Sequence, residues 1–201
     1  MKTIKIMCIL VAVALSSFVW AEAASPVPML ENTAQQIIGT LKQNKSQLKQ
    51  NHHIIYQAVE RYLLPNVDVN GMSRSVLGRK AWSKATAAER QEFTQVFTQL
   101  VIRTYANPLA EYTDETVKFL PAHVPSNGQF MRVNSVIMRS NGHPIPLSYS
   151  LVSLHQQWKI YDLSVEGVSL LQSFHSQFGQ VLQNSSMHDL IQQMRNKKAA
   201  S

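Results

Sequence analysis

Residues 158–178, WKIYDLSVEGVSLLQSFHSQF, change their hydrophobic period from two to 3.6 across a single corner, and no other feature constrains the fold as much. Up to Val165 the pattern is that of a strand. Glu166-Gly167 marks a tight corner. Beyond it Leu170, Leu171, Phe174, Phe178 and Val181 form one apolar stripe of an amphipathic helix. A strand that turns at once into a helix belongs to a mixed domain.

The N-terminus reads as a leader that takes no part in this domain. Lys2 and Lys5 precede an apolar run, Ile9 to Leu15, and Ala21-Glu22-Ala23 offers small residues at the −3 and −1 positions of a cleavage site. The run is too short to span a bilayer. We therefore expect a signal peptide over 1–23 and one domain over 24–201. Cys8, the only cysteine, lies inside the apolar run and far from the point of lipid attachment, so the mature chain has no disulfide or thiolate chemistry. Losing Lys2, Lys5 and Glu22 removes one net positive charge from the formal +7. The remaining basic surface suits anionic partners such as lipid headgroups. Its Lys and Arg are scattered, which argues against nucleic acid.

The order of elements follows from periodicity. Residues 28–50 have helical spacing (Leu30, Ala34, Ile37, Ile38, Leu41, Leu48), and a second helix runs from Ile54 to Leu64, stopped by Pro65. A short helix over 68–80 points Met72, Val76 and Leu77 inward and ends at Gly78. Thr86 and Glu89 form a capping box ahead of the longest helix, whose stripe is unusually aromatic. Four strands follow, Thr116–Leu120, Phe130–Met138, Ile145–Leu154 and Trp158–Val165, bounded by Pro121 to Gly128, Asn141-Gly142 and His155-Gln156-Gln157. Beyond the corner come the amphipathic helix, a short one from Met187 to Met194, and a basic tail, Arg195, Lys197 and Lys198, that reads as frayed. The class is α+β: N-terminal helices, a four-stranded antiparallel meander and C-terminal helices.

Strand alternation gives the first functional hint. Ile145, Leu147, Tyr149 and Leu151 share one face of the third strand. In the fourth, Tyr161, Leu163 and Val165 are expected opposite Trp158 and Ile160. The second strand is apolar on both faces, with Met131, Val133 and Ile137 against Phe130, Val136 and Met138. Either helices cover both sides of the sheet or one side lines a cavity.

Catalytic and metal motifs are missing. No His pair has zinc-ligand spacing, Ser169 stands outside a G-x-S-x-G elbow, and there is no phosphate-binding glycine loop. Asp162 and Glu166, four apart with Ser164 between, are the best acidic pair. A helix N-terminus favours negative charge, however, and both read as structural. We expect no cofactor, no metal and no catalytic residue.

The "YD-x-x-x-EGVS" corner resembles the MlaC family, the toluene tolerance proteins. Val76-Leu77-Gly78, Trp82, Ala85-Thr86 and Arg90 are similar to a second segment of that family, Arg103-Thr104-Tyr105-Ala106 to a helix end, and Leu63-Leu64-Pro65 to its "LLP". The resemblance implies an NTF2-like α+β fold enclosing an apolar cavity for acyl chains. It implies a periplasmic phospholipid carrier that shuttles lipid between an outer-membrane lipoprotein complex and an inner-membrane ABC transporter, and so maintains outer-membrane lipid asymmetry. These motifs do not mark the pocket wall. The aromatic and aliphatic pattern alone selects Phe93, Phe97, Leu100, Val101, Tyr105, Tyr149, Leu151, Tyr161 and Val165 as its lining. The rival reading is an enzyme on the same fold acting on a hydrophobic small molecule, with Asp162, Glu166 or His175 as its only candidate groups.

Overall fold

Helix α1 (Val27–Gln43) carries Pro28 in its first turn, where a missing N–H costs nothing, and buries Leu30, Thr33 and Leu41. It ends sooner than its spacing suggests. The Asn44 backbone N–H and side-chain amide both turn back onto the Thr40 carbonyl, and a short 3-10 turn over Lys45–Gln47 follows. These observations come from a computed structural model that describes residues 25–112, 114–122, 128–140 and 142–197. The expected leader over 1–23, Asn141 of the Asn141-Gly142 turn and Lys198 of the tail lie outside the described residues.

Helix α2 (His53–Ala58) runs into a π turn, Val59–Leu63, before Pro65. Helix α3 (Val69–Lys84) is longer than expected. Gly78 does interrupt it, with φ +74° and ψ +161°, but the helix resumes and continues to Lys84. Helix α4 (Ala87–Ala110) starts at the expected Thr86–Glu89 capping box. After the sheet come α5 (Leu170–Asn184) and α6 (Met187–Asn196). The basic tail is held more firmly than expected: Arg195 is still helical and pairs with Glu92 of α4 at 2.7 Å.

The sheet is an antiparallel meander of five strands, correcting the expected four: β1 (Thr116–Phe119), β2 (Phe130–Met138), β3 (Ile145–Leu154), β4 (Gln157–Val165) and β5 (Val168–Ser169). The additional strand comes from the corner itself. Glu166 and Gly167 both take positive φ, +51° and +82°, the conformation of a tight hairpin turn, and fold Val168-Ser169 back onto Val165 and Ser164. Further down the same edge, Val67 pairs with Ile160, and the Asp68 N–H donates to the Ile160 carbonyl at 2.9 Å. Two separate segments thus occupy the free side of β4.

A second correction concerns the faces of β4. Ser150 pairs with Asp162 but Leu151 pairs with Ile160, so Tyr161 is an extra residue in a β-bulge. The bulge resets the alternation. Trp158 and Ile160 share the inner face with Leu163 and Val165. Tyr161 lies on the outer face, its ring edge-on to Phe130 at 6.0 Å.

Three packed clusters hold the domain together. Val76, Leu77, Phe93, Phe97, Leu100, Phe174, Phe178, Leu190, Ile191 and Met194 unite α3 to α6. Leu41, Leu48, Ile55, Val59, Ile102, Ala106 and Ala110 join α1 and α2 to the far half of α4. Leu30 of α1 closes on Met131, Val133, Leu151 and Ile160 of the inner sheet face. Leu63, at the end of the π turn, packs against both of the last two clusters.

Candidate functional site

Of the three candidate groups for an enzyme, Asp162 and His175 are hydrogen-bonded within the fold and Glu166 faces solvent. Asp162 accepts from the Ser169 hydroxyl at 2.6 Å and from the Leu171 N–H at 3.0 Å, fastening β4 to the start of α5. Ser169 is the N-cap of α5 and accepts from the Gln172 N–H. Glu166 is exposed in the turn. His175 Nδ1 lies 2.9 Å from the Val76 carbonyl; since a carbonyl only accepts, that nitrogen carries the proton. No cluster of three metal-ligating side chains occurs among the described residues.

The nine residues expected to line a pocket fall into separate places. Phe93, Phe97 and Leu100 lie in the helical cluster, at most 2% exposed. Their rings interlock: Phe93 stacks on Phe97 at 5.7 Å, and Phe97 meets Phe174 edge-on at 5.2 Å. Val101 packs at the margin of that cluster. Tyr105, one turn further along α4, is half-buried, and burial pushes its phenol above the usual tyrosine range. At 100° per residue, Val101 and Tyr105 occupy the side of α4 between the Phe93–Leu100 stripe and the Ile102–Ala106 stripe. Leu151 and Tyr149 belong to the inner sheet face, and Val165 lies further along it. Tyr161 is on the outer face.

The inner face has two unlike halves. Its lower half, Met131, Val133, Leu151 and Ile160, is sealed by Leu30. Its upper half carries Val117, Ile137, Ile145, Leu147, Leu163 and Val165, aligned across β1 to β4 by their pairing. All six are half-buried and stand outside the three packed clusters. Tyr149 sits at the boundary, its ring stacked on Phe119 at 5.8 Å. Burial pushes the Tyr149 phenol up, and the neighbouring Ser135 hydroxyl pulls it part of the way back. Ser135, 1% exposed on the same face, nevertheless makes no hydrogen bond of acceptable geometry through Oγ, so this contact is a loose one.

Charge is distributed by face. Register places Lys118, Arg132, Lys159 and Asp162 on the outer side and no charged residue among the inner-facing positions of the described strands. Two surface grooves, of about 190 and 270 Å³, lie on α4 away from the sheet, near Arg103 and Arg195 and near Trp82 and Arg90. Both are smaller than the roughly 300–1,000 Å³ of usual ligand sites.

Sequence reasoning did not single out Ser135, Ile137 and Leu163, which the register places on the same inner face. A signal for the first was present. Met131, Val133 and Ile137 alternate as an apolar face, and Ser135 is the single polar interruption.

The antiparallel sheet, with one uncharged and incompletely covered inner face set against helices, makes this an α+β domain. Comparison with known proteins gives its family. The family model for the MlaC protein matches residues 31–196, and the chain belongs to this family. It is 30% identical over 177 residues to the toluene tolerance protein ttg2D of Pseudomonas putida, spanning 88% of this chain and 82% of that one. It is 26% identical over 175 residues to the intermembrane phospholipid transport system binding protein MlaC of Haemophilus influenzae, spanning 85% and 81%. Among solved structures it is similar to the phospholipid-binding protein of Ralstonia solanacearum in complex with a phospholipid. The TM-score is 0.78 at 25% identity, covering 86% of this chain and 96% of that one.

Proposed function

We propose that this chain is a periplasmic phospholipid carrier. The observation that carries the reading is the upper inner face of the sheet, where Ile137, Ile145, Leu147, Leu163 and Val165 form a continuous apolar surface that the helices leave half-covered. The phospholipid held by the structurally similar Ralstonia protein supports it. In this reading the sheet curves in the NTF2-like manner, and the acyl chains lie between its inner face and the side of α4 that carries Val101 and Tyr105. Leu147, Tyr149 and Val165 line the sheet side, with Leu151 closing its floor beneath Leu30, and Leu100 supports the helix side. Phe93 and Phe97 back that wall from within the helical core.

Two acyl chains of about sixteen carbons, at roughly 0.8 kcal/mol per methylene, cost on the order of 25 kcal/mol to expose to water. A crevice that buries them recovers most of this, so exchange with a bilayer is nearly balanced and needs no catalytic group. Direction then comes from the partners, an outer-membrane lipoprotein complex at one end and an inner-membrane ABC transporter at the other, and the system sustains outer-membrane lipid asymmetry.

The test is native mass spectrometry of the mature protein purified without detergent, followed by lipid extraction. Phospholipid at fixed stoichiometry is expected in the wild type. Leu147→Arg, which puts a charge on the uncharged face, is expected to lose that lipid while keeping its circular dichroism. A wild type free of lipid even after incubation with vesicles would refute the carrier reading, and full retention in folded Leu147→Arg would refute the crevice.

A further inference from the structure

We propose that Ser135 and Tyr149 form a polar subsite on the inner sheet face that holds an ester carbonyl of a bound acyl glycerolipid. This rests on the carrier reading and adds to it a ligand chemistry and two residues.

The argument starts from Ser135. It is 1% exposed, faces inward in the row Met131–Val133–Ser135–Ile137, and its Oγ makes no hydrogen bond of acceptable geometry, only the loose contact with Tyr149. Buried hydroxyls in native proteins nearly all find one. On the helices they do so through the helix itself: Thr33 donates to the Met29 carbonyl, Ser73 to Val69 and Thr104 to Leu100, whereas Ser148, on the outer side of β3, shares the unpartnered state of Ser135. A serine in the middle of a sheet has no such outlet, because the carbonyls around it are engaged in the strand ladder. Its partner must come from outside the strand.

Tyr149 supplies the second donor. It pairs with Val133, which makes it the diagonal neighbour of Ser135 on the same face. Its phenol is neutral, and burial raises it further above the usual tyrosine range. Two O–H groups side by side in apolar surroundings match a ligand atom that only accepts. A phosphate or a free carboxylate would bring a charge to a face that has no cation, since Lys118, Arg132 and Lys159 all point to the outer side. An acyl ester carbonyl is neutral and only accepts. It also sits where the apolar chains begin, so the charged headgroup remains outside the crevice.

The test compares a diacyl phospholipid with its dialkyl ether analogue, of the same headgroup and chain length, in competition for the mature protein, read by native mass spectrometry. The ether analogue lacks only the carbonyls. Wild type is expected to prefer the ester about five- to tenfold. Ser135→Ala and Tyr149→Phe are expected to keep binding lipid while that preference moves toward unity. The apo Ser135→Ala protein should melt close to wild type, since the lost hydroxyl makes only a loose contact with Tyr149. Equal binding of both lipids by wild type would overturn the subsite and leave the carrier reading standing. Retention of neither lipid would overturn the carrier reading first. A Ser135→Ala variant that keeps full ester preference, or whose apo form is clearly destabilised, would show the hydroxyl to be structural and overturn its assignment.

Discussion

Replacing Gly78 by alanine tests the joint on which the helical half of the domain depends. At φ +74° and ψ +161° the residue occupies a region that is open essentially to glycine alone. A side chain there costs about 1–3 kcal/mol in backbone strain. The less flexible unfolded chain of the alanine variant offsets about 0.4–1 kcal/mol. The new Cβ would also stand 3.1 Å from His175 Cε1, close enough that the ring must shift. That ring donates to the Val76 carbonyl at 2.9 Å, and losing the bond adds about 0.5–1.5 kcal/mol. The net expectation is a destabilisation of about 2 kcal/mol, or roughly 4–8 °C in Tm for a chain of this size. Urea unfolding of the mature protein should show a lower midpoint with an unchanged slope. In a His175→Ala background Gly78→Ala should cost less, because the ring is no longer there to be displaced. A Gly78→Ala protein within about 0.5 kcal/mol of wild type would refute both the strain and the contact.

Other consequences follow from the same geometry. Asp162→Ala removes the acceptor of both the Ser169 hydroxyl and the Leu171 N–H and should destabilise by about 1–3 kcal/mol. Asp162→Asn keeps an oxygen for Leu171 and should cost less; thermal melts that rank the two variants the other way would refute the joint. Alkaline pH should weaken the fold through Tyr149. Its folded-state value lies above the unfolded value near 10.0, so its contribution is complete below that pH and is lost as pH rises through the folded-state value. A tyrosinate absorbance titration should show a late-ionising phenol that is missing from Tyr149→Phe; no such late component would contradict the burial.

Much of this architecture was legible because long periodic runs report one dominant interaction. The Thr86–Glu89 capping box, the α4 stripe and the inner rows of β2 and β3 follow directly from alternation and capping. Features set by a partner strand were not legible. Nothing in the local sequence around Tyr161 says that β3 will skip it, yet that one extra residue moves the ring to the outer face and carries Trp158 and Ile160 inward. The fifth strand needed knowledge that Glu166, an ordinary side chain, accepts φ +51°. The aromatic stripe of α4 was ambiguous for another reason. Phe93 and Phe97 pair with Phe174 and Phe178 across a packed helix interface, and sequence periodicity cannot tell a ring that meets another ring from one that would meet a ligand.

The segments that carry the family resemblance fall on the joints of the domain. In the Val76-Leu77-Gly78 stretch, two buried residues lead into the break in α3. Arg90 donates to the Trp82 carbonyl at 2.9 Å and lies over the Trp82 ring, closing the turn capped by Thr86. Arg103 reaches from α4 to the Met194 carbonyl of α6. Asp162, Gly167 and Ser169 fold the corner and start α5. A joint has few chemical solutions: a positive φ favours glycine, and an N-cap requires a short side chain with an oxygen. An apolar wall has many, because burial rewards area far more than identity. Distinctive residue patterns therefore mark where this fold bends and is fastened, while a surface that holds acyl chains can be built from almost any large apolar side chains. On that logic, if the inner face holds acyl chains, Ser135 and Tyr149 are the positions on it where residue type carries the most information.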